Sequence, residues 1–138
     1  MAVLMLDTDV FSYLSASDQR RALPYQPHLT WHTLTLSFIT VGEQYAGYTK
    51  QIVRGNWNAA HLEKLEVRLR SVAIVPYDIE VCRTYGDLRA ALDQHGISVS
   101  ANDLWIAACA KRHSLPLVTH NRKHFAAIPG LRIISEAP

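Results

Sequence analysis

The sequence predicts an α/β fold, a three-layer sandwich with a largely parallel central sheet. Short continuous apolar runs recur along the chain, segments of helical periodicity separate them, and capping residues or glycines mark most of the boundaries. Unbroken apolar runs suit strands buried on both faces of a parallel sheet. Strands that alternate with helices place those helices on the two faces.

The first run, Val3 to Leu6, is the first strand, and Asp7 ends it. Asp9 precedes an expected helix start at Val10. Between Ser17 and His32, Pro24 and Pro27 break any long helix, so a short helix plus a loop is expected, with Tyr25 and Trp31 packing locally. Leu34 to Ile39 forms the second strand. Val41, Tyr45, Tyr48 and Ile52 then repeat at helical spacing up to Gly55, and a further helix from about Asn58 to Arg70 carries Leu62, Leu65 and Leu69. Val72 to Val75 is the third strand. Asp78 caps a helix through Val81, Tyr85, Leu88 and Leu92 that ends at Gly96, and Ser100 caps one that runs to about His113. Leu117 to Thr119 and Leu131 to Ile134 supply the last two strands, with room for a short helix between them.

Composition limits the function. The 138 residues, 49% hydrophobic and 19% charged, suit one domain over residues 1–138. Lys plus Arg at 14 against Asp plus Glu at 12 gives a net charge of +2, so bulk charge does not mark a nucleic-acid binder and any anionic partner must be held locally. Cys82 and Cys109 form no disulfide framework and lack metal-ligand spacing, so both read as reduced, buried and inert thiols of a cytoplasmic protein. MAVLML has no basic region before it and meets Asp7 at once, unlike a signal peptide, and no apolar run approaches the roughly 20 residues that span a bilayer.

In open parallel sheets the ligand crevice lies at the carboxyl ends of the strands. Asp7 lies there, and Glu43 and Asp103 fall in the expected first turns of the helices after the second strand and before the fourth. Asn121 follows the fourth strand. Singly, the acids have ordinary explanations, since Thr40 to Glu43 and Ser100 to Asp103 both match capping boxes. Jointly they converge on one edge of one sheet. Two carboxylates about 4 Å apart repel by roughly 4 kcal/mol at an effective dielectric of about 20. The strand-end segments offer only Arg122 and Lys123 as counter-charge, so a divalent cation is expected. An all-oxygen donor set favours Mg²⁺, with Mn²⁺ as the alternative, and leaves positions open for water and a phosphate oxygen.

These segments resemble a known family. LMLDTDVF with Asp7, SFITVGEQYAG with Glu43, SANDLWIAACA with Asp103 and LVTHNRKHFAAIPGLRI around Asn121 are similar, in order and spacing, to the four motifs of PIN-domain ribonucleases, above all the VapC-type toxins of toxin-antitoxin pairs. The resemblance implies a Mg²⁺-dependent endoribonuclease, a homodimer, and inhibition by a small antitoxin whose C-terminal segment lies near the active site. By the same resemblance Asp7, Glu43 and Asp103 match the acidic triad, with Asp7 and Asp103 as metal ligands. Asn121 stands where many members carry a fourth Asp, so a second metal is expected to bind more weakly. Asp9, at a position more often Asn or Ser, either restores that charge or caps the first helix. His124 stands where an acid is common, as a surface histidine or as a contact to phosphate or proton.

Candidate RNA-binding cations are Lys50, Arg54, Arg122 and Lys123, while Trp57 and Tyr48 read as core or dimer packing rather than as base-stacking groups. His61 and His95 have no evident partner, and His120 with His124 lacks a third zinc ligand. Two alternatives remain: a PIN-like module that binds RNA or protein with little cleavage, and a haloacid-dehalogenase-type phosphotransferase suggested by LDTDV. The second lacks a glycine after Asp9 and a strand before Asp103. With Asp7, Asp9, Glu43 and Asp103 set aside, 14 basic residues face 8 acidic ones, so the near-neutral total conceals an acidic pocket within a moderately basic domain.

Overall fold

The computed structural model describes residues 2–15 and 19–138; Ser17, where the expected short helix and loop begin, lies outside them. Five strands, β1 (Val3–Leu6), β2 (Thr33–Ser37), β3 (Ala73–Val75), β4 (Leu117–Val118) and β5 (Ile133–Ile134), pair entirely in parallel in the order β3-β2-β1-β4-β5. Leu6 lies opposite Leu36 on one side and Val118 on the other, which makes β1 the centre of the sheet.

The helices are α1 (Thr8–Ser15), α2 (Gln26–Leu29), α3 (Phe38–Val53), α4 (Ala59–Leu69), α5 (Ile79–Gln94), α6 (Ala101–Arg112) and α7 (Arg122–Phe125), with a 3₁₀ turn at Leu23–Tyr25. Alternation along the strands divides them between two layers. Met5 and Leu117 pack with Val81, Leu88, Leu104 and Phe125 from α5, α6 and α7. Leu4, Leu6 and Val118 point the other way, against Val10, Phe11, Leu65 and Leu69 from α1 and α4. The predicted three-layer α/β sandwich is observed.

Several boundaries move, each for a local reason. The second apolar run contains both the end of a strand and the first turn of a helix. Ser37 is the N-cap of α3, its hydroxyl accepting from the Ile39 and Thr40 amides, so Phe38 and Ile39 are helical rather than extended. Hydropathy is blind to that join because both sides are apolar. The first helix starts at Thr8, not Val10, because the Asp7 carbonyl already accepts from the Phe11 amide. Val72 and Thr119 lie just outside their strands, and β5 is confined to Ile133–Ile134. The edge strand β3 is not buried on both faces, Ile74 being 43% exposed.

Side-chain expectations change as well. Pro24 and Pro27 sit in the first turns of the 3₁₀ turn and α2, where a missing N–H costs nothing. Tyr25 is fully buried, as local packing requires, but Trp31 is 85% exposed on a left-handed backbone. Cys109 is buried, and burial pushes its thiol up to about 11, whereas Cys82 is exposed. Among the described residues no helix is long and apolar enough to cross a membrane.

Candidate active site

The chain lays down β1, β2 and β3 in one direction and then returns to the other side of β1 to add β4 and β5. The strand order therefore reverses between β1 and β4, and their carboxyl ends are where open parallel sheets place a ligand crevice. Asp7 follows β1 directly, and Thr119, His120 and Asn121 follow β4.

Asp7 is only 3% exposed. Its Oδ1 accepts from the Thr8 amide at 2.8 Å and its Oδ2 from the Thr119 hydroxyl at 2.7 Å. These neutral donors do not offset its surroundings. Burial first, then the charge of Asp9, and more weakly that of Asp103, push the Asp7 carboxyl up to about 7. Asp9 is raised too, mainly by burial, although its carboxylate accepts from the Val10 amide at 2.7 Å, the His120 amide at 3.2 Å and the Asn121 side-chain amide at 3.0 Å. Asp9 thus lies in the first turn of α1 and also ties β1 to the segment after β4. The Asn121 side-chain amide and the His120 backbone amide are the donors in that tie.

Glu43 lies in the second turn of α3 rather than the first, because Ser37 caps the helix and the expected Thr40–Glu43 capping box does not form. The freed carboxylate turns toward the crevice instead. It accepts from the Thr8 hydroxyl at 2.8 Å and from the Asn102 side-chain amide at 3.4 Å. Asp103 does occupy the first turn of α6, its amide donating to the Ser100 hydroxyl, while its Oδ2 meets His124 Nδ1 at 3.0 Å. His124 is therefore joined to one of the predicted site acids and is not a free surface histidine.

Three residues that carry these contacts escaped the sequence reading, Thr8, Asn102 and Thr119, and His120, weighed there only as a zinc ligand, instead meets Tyr25 and gives its amide to Asp9. Their signal was adjacency, since each neighbours a residue singled out, but which neighbour points inward depends on backbone geometry that spacing does not reveal. Thr119→Val keeps the shape and removes both the donor to Asp7 and the acceptor for the Asn121 amide. We expect a loss of roughly 1 to 3 kcal/mol in urea unfolding, with the surrounding packing retained.

The cations separate into two groups. Arg122 and Lys123 begin α7 directly after Asn121, with Arg122 donating to the Ser135 carbonyl. Lys50 and Arg54 lie about 10 and 16 Å farther along α3 than Glu43, at a rise of about 1.5 Å per residue. His120 and His124 point to different partners, His120 Nδ1 meeting the Tyr25 hydroxyl at 2.6 Å, so they do not form a pair of metal ligands. Among the described residues no Lys or Arg forms an ion pair with Asp7, Asp9, Glu43 or Asp103. Nor, among the described residues, do any three His, Cys, Asp or Glu side chains lie together so as to hold a metal ion. Asp7 and Asp9 lie close together, with Asp103 near enough for its charge to act on Asp7, and carboxylate oxygens are the donors a hard cation that retains several waters would take.

Residues 4–131 match the PIN domain family. The chain belongs to that family. This PIN domain is 32% identical over 128 residues to toxin FitB of Neisseria gonorrhoeae, covering 91% of this chain and 92% of FitB. It is 32% identical to ribonuclease VapC2 of Rickettsia felis over 72% of each chain. Its fold superposes on VapBC2 of Rickettsia felis, crystallised bound to a DNA fragment from their promoter, with a TM-score of 0.83 at 27% identity over 98% of both chains. VapBC-1 of nontypeable Haemophilus influenzae gives 0.78 at 28% identity, again over 98% of both. The PIN domain is thus of the VapC toxin type, and the haloacid-dehalogenase alternative falls away.

Proposed function

We propose that this PIN domain is a Mg²⁺-dependent endoribonuclease and the toxin of a toxin-antitoxin pair. The observation that carries the reading is Asp7: a buried carboxyl at the switch point of a parallel sheet, crowded by Asp9 and Asp103, with no Lys or Arg as ion-pair partner among the described residues. The named relatives support it, since one is a toxin, another is called a ribonuclease, and the fold neighbours are VapBC assemblies. An antitoxin is accordingly the proposed protein partner. The second copy in the proposed homodimer is tested by sedimentation of the chain alone.

Asp7 and Asp103 would hold the ion, with Asn121 and Asp9 alongside. Bound there, a divalent cation supplies charge for the scissile phosphate and acidifies water. The protein's own groups do the rest. Thr8 and Thr119 fix the Asp7 carboxylate through both oxygens, so it meets its ligand in one orientation. Glu43, aimed by Thr8 and Asn102, accepts the proton of the attacking water. His124 holds Asp103 from the solvent side. Arg122 and Lys123, beside Asn121, contact flanking phosphates. Attack by water leaves a 5′-phosphate and a 3′-hydroxyl and needs no 2′-hydroxyl at the cleaved bond.

The test is cleavage of RNA by the purified chain with Mg²⁺, with end-group analysis of the fragments. Glu43→Gln keeps the side chain's size and one oxygen that can still accept from Thr8, but removes the base, so turnover should fall roughly 10²- to 10⁴-fold with an unchanged circular dichroism spectrum. Fragments ending in 2′,3′-cyclic phosphate would rule out attack by water.

A further inference from the structure

Outside the acidic crevice, a groove of about 540 Å³ lies between α1, α3 and α4. Ser12 and Gln44 line it, bonded to each other at 2.9 Å, and Ser12 in turn donates to the Thr8 carbonyl. Thr8 and Glu43, the sequence neighbour of Gln44, belong to the proposed active site, so the groove adjoins that site along both helices. We propose that it is a nucleotide subsite, which takes the base and phosphate of an unpaired RNA residue flanking the cleaved bond. This rests on the ribonuclease reading above.

The wall is a prebuilt aromatic platform. The rings of Trp57 and His61 stack in parallel, 5.1 Å apart and 7° from coplanar, and Tyr48 meets Trp57 edge-on at 4.8 Å. His61 is locked because its Nδ1 accepts from the Asn58 amide in the capping box that starts α4. Trp57 remains 37% exposed. A base added to such a stack meets rings that are already ordered, which lowers the entropic cost of binding, and every base offers a face to stack.

The charge of the groove selects an anion. Arg68 spends two donors on neutral groups, the Ser15 carbonyl at 3.0 Å and the Tyr48 hydroxyl at 2.8 Å, and its buried Nε has no partner. Its charge is therefore not compensated by a carboxylate. Lys64 lines the same groove, and among the described residues no Asp or Glu does. Aromatic rings with interleaved cations and no acid match a single-stranded nucleic acid.

The test is fluorescence anisotropy with a labelled 12-nucleotide single-stranded RNA and Mg²⁺, in the full chain carrying Asp103→Asn to suppress cleavage. Trp57→Ala should weaken binding about tenfold without altering the salt dependence, and Trp57→Phe should restore most of the loss. Lys64→Ala should reduce the slope of log affinity against log salt by about 0.7, the value for one phosphate on a single strand. Unchanged affinity and slope in variants that keep the parental melting temperature would overturn the subsite. So would variants that weaken binding of the cognate antitoxin alone, which would make the groove a protein-docking surface. A parental chain that cleaves RNA while the groove variants bind normally defeats only the subsite; one that neither cleaves nor binds RNA defeats the ribonuclease reading with it.

Discussion

Asp7→Asn is expected to lower RNA cleavage by roughly 10³-fold or more while raising the stability of the metal-free protein at pH 8. The two effects have one origin. As the charged ligand proposed above, Asp7 would contribute several kcal/mol of cation and transition-state stabilisation, and about 4 kcal/mol corresponds to three powers of ten in rate. Without the cation that same charge is a liability, because Asp7 is 3% exposed and its carboxyl is pushed up to about 7 from an ordinary 3.8. A gap of that size corresponds to on the order of 4 kcal/mol of unfavourable ionisation in the folded state. Asparagine keeps the oxygen that accepts from the Thr8 amide and discards the charge. Chemical unfolding in EDTA should therefore show a gain of roughly 2 to 4 kcal/mol for the inactive variant. A destabilised Asp7→Asn protein would mean that the Asp7–Thr119 hydrogen bond outweighs the cost of burying the charge.

Removal of metal is expected to give the second large effect, and pH should set its size. The native Asp7 holds a proton up to about pH 7, whereas the unfolded chain releases it near 3.8. Between those values the native state binds more protons, so the stability contributed by this group is fully present below about pH 4 and is lost as pH rises to about 7. Asp9, also raised, acts in the same direction. Metal-free protein should consequently show a melting temperature that declines from pH 5 to pH 8. Mg²⁺ should raise it much more at pH 8, where the carboxylates are ionised, than at pH 5, where a proton competes. Cleavage in excess EDTA should fall to background. Full cleavage in EDTA, or a Mg²⁺-induced rise in melting temperature equal at both pH values, would refute the role of the acids as ligands.

The strands were legible because a parallel sheet covered on both faces demands continuous apolar runs, and residues such as Leu4, Leu6, Leu117 and Val118 have no polar alternation to obscure them. Boundaries inside such runs were not. Ser37 ends β2 and caps α3 within one apolar stretch, and the resulting shift removes the capping-box explanation for Glu43 and leaves it as the expected site carboxylate, held by Thr8. The sequence predicts Cys82 buried and Trp31 packed, yet both are exposed, because each side chain's exposure is decided by neighbours distant in sequence.

The sequence by itself determined the α/β class, the membership in the PIN family and the identities of Asp7, Glu43, Asp103 and Asn121, because hydrophobic periodicity and motif order are local properties of the chain. Tertiary structure alone decided how those residues act together. The reversal of strand order between β1 and β4 brings Thr119 onto Asp7 and Asn121 onto Asp9, over 112 residues of separation in each case. It also seals Asp7 from water, which is what raises its carboxyl. The packing of α1, α3 and α4 likewise converts Trp57, His61, Lys64 and Arg68 from scattered surface residues into one groove. Burial and electrostatic crowding depend on distances in space, and those distances exist only once the sheet has closed over its two layers of helices.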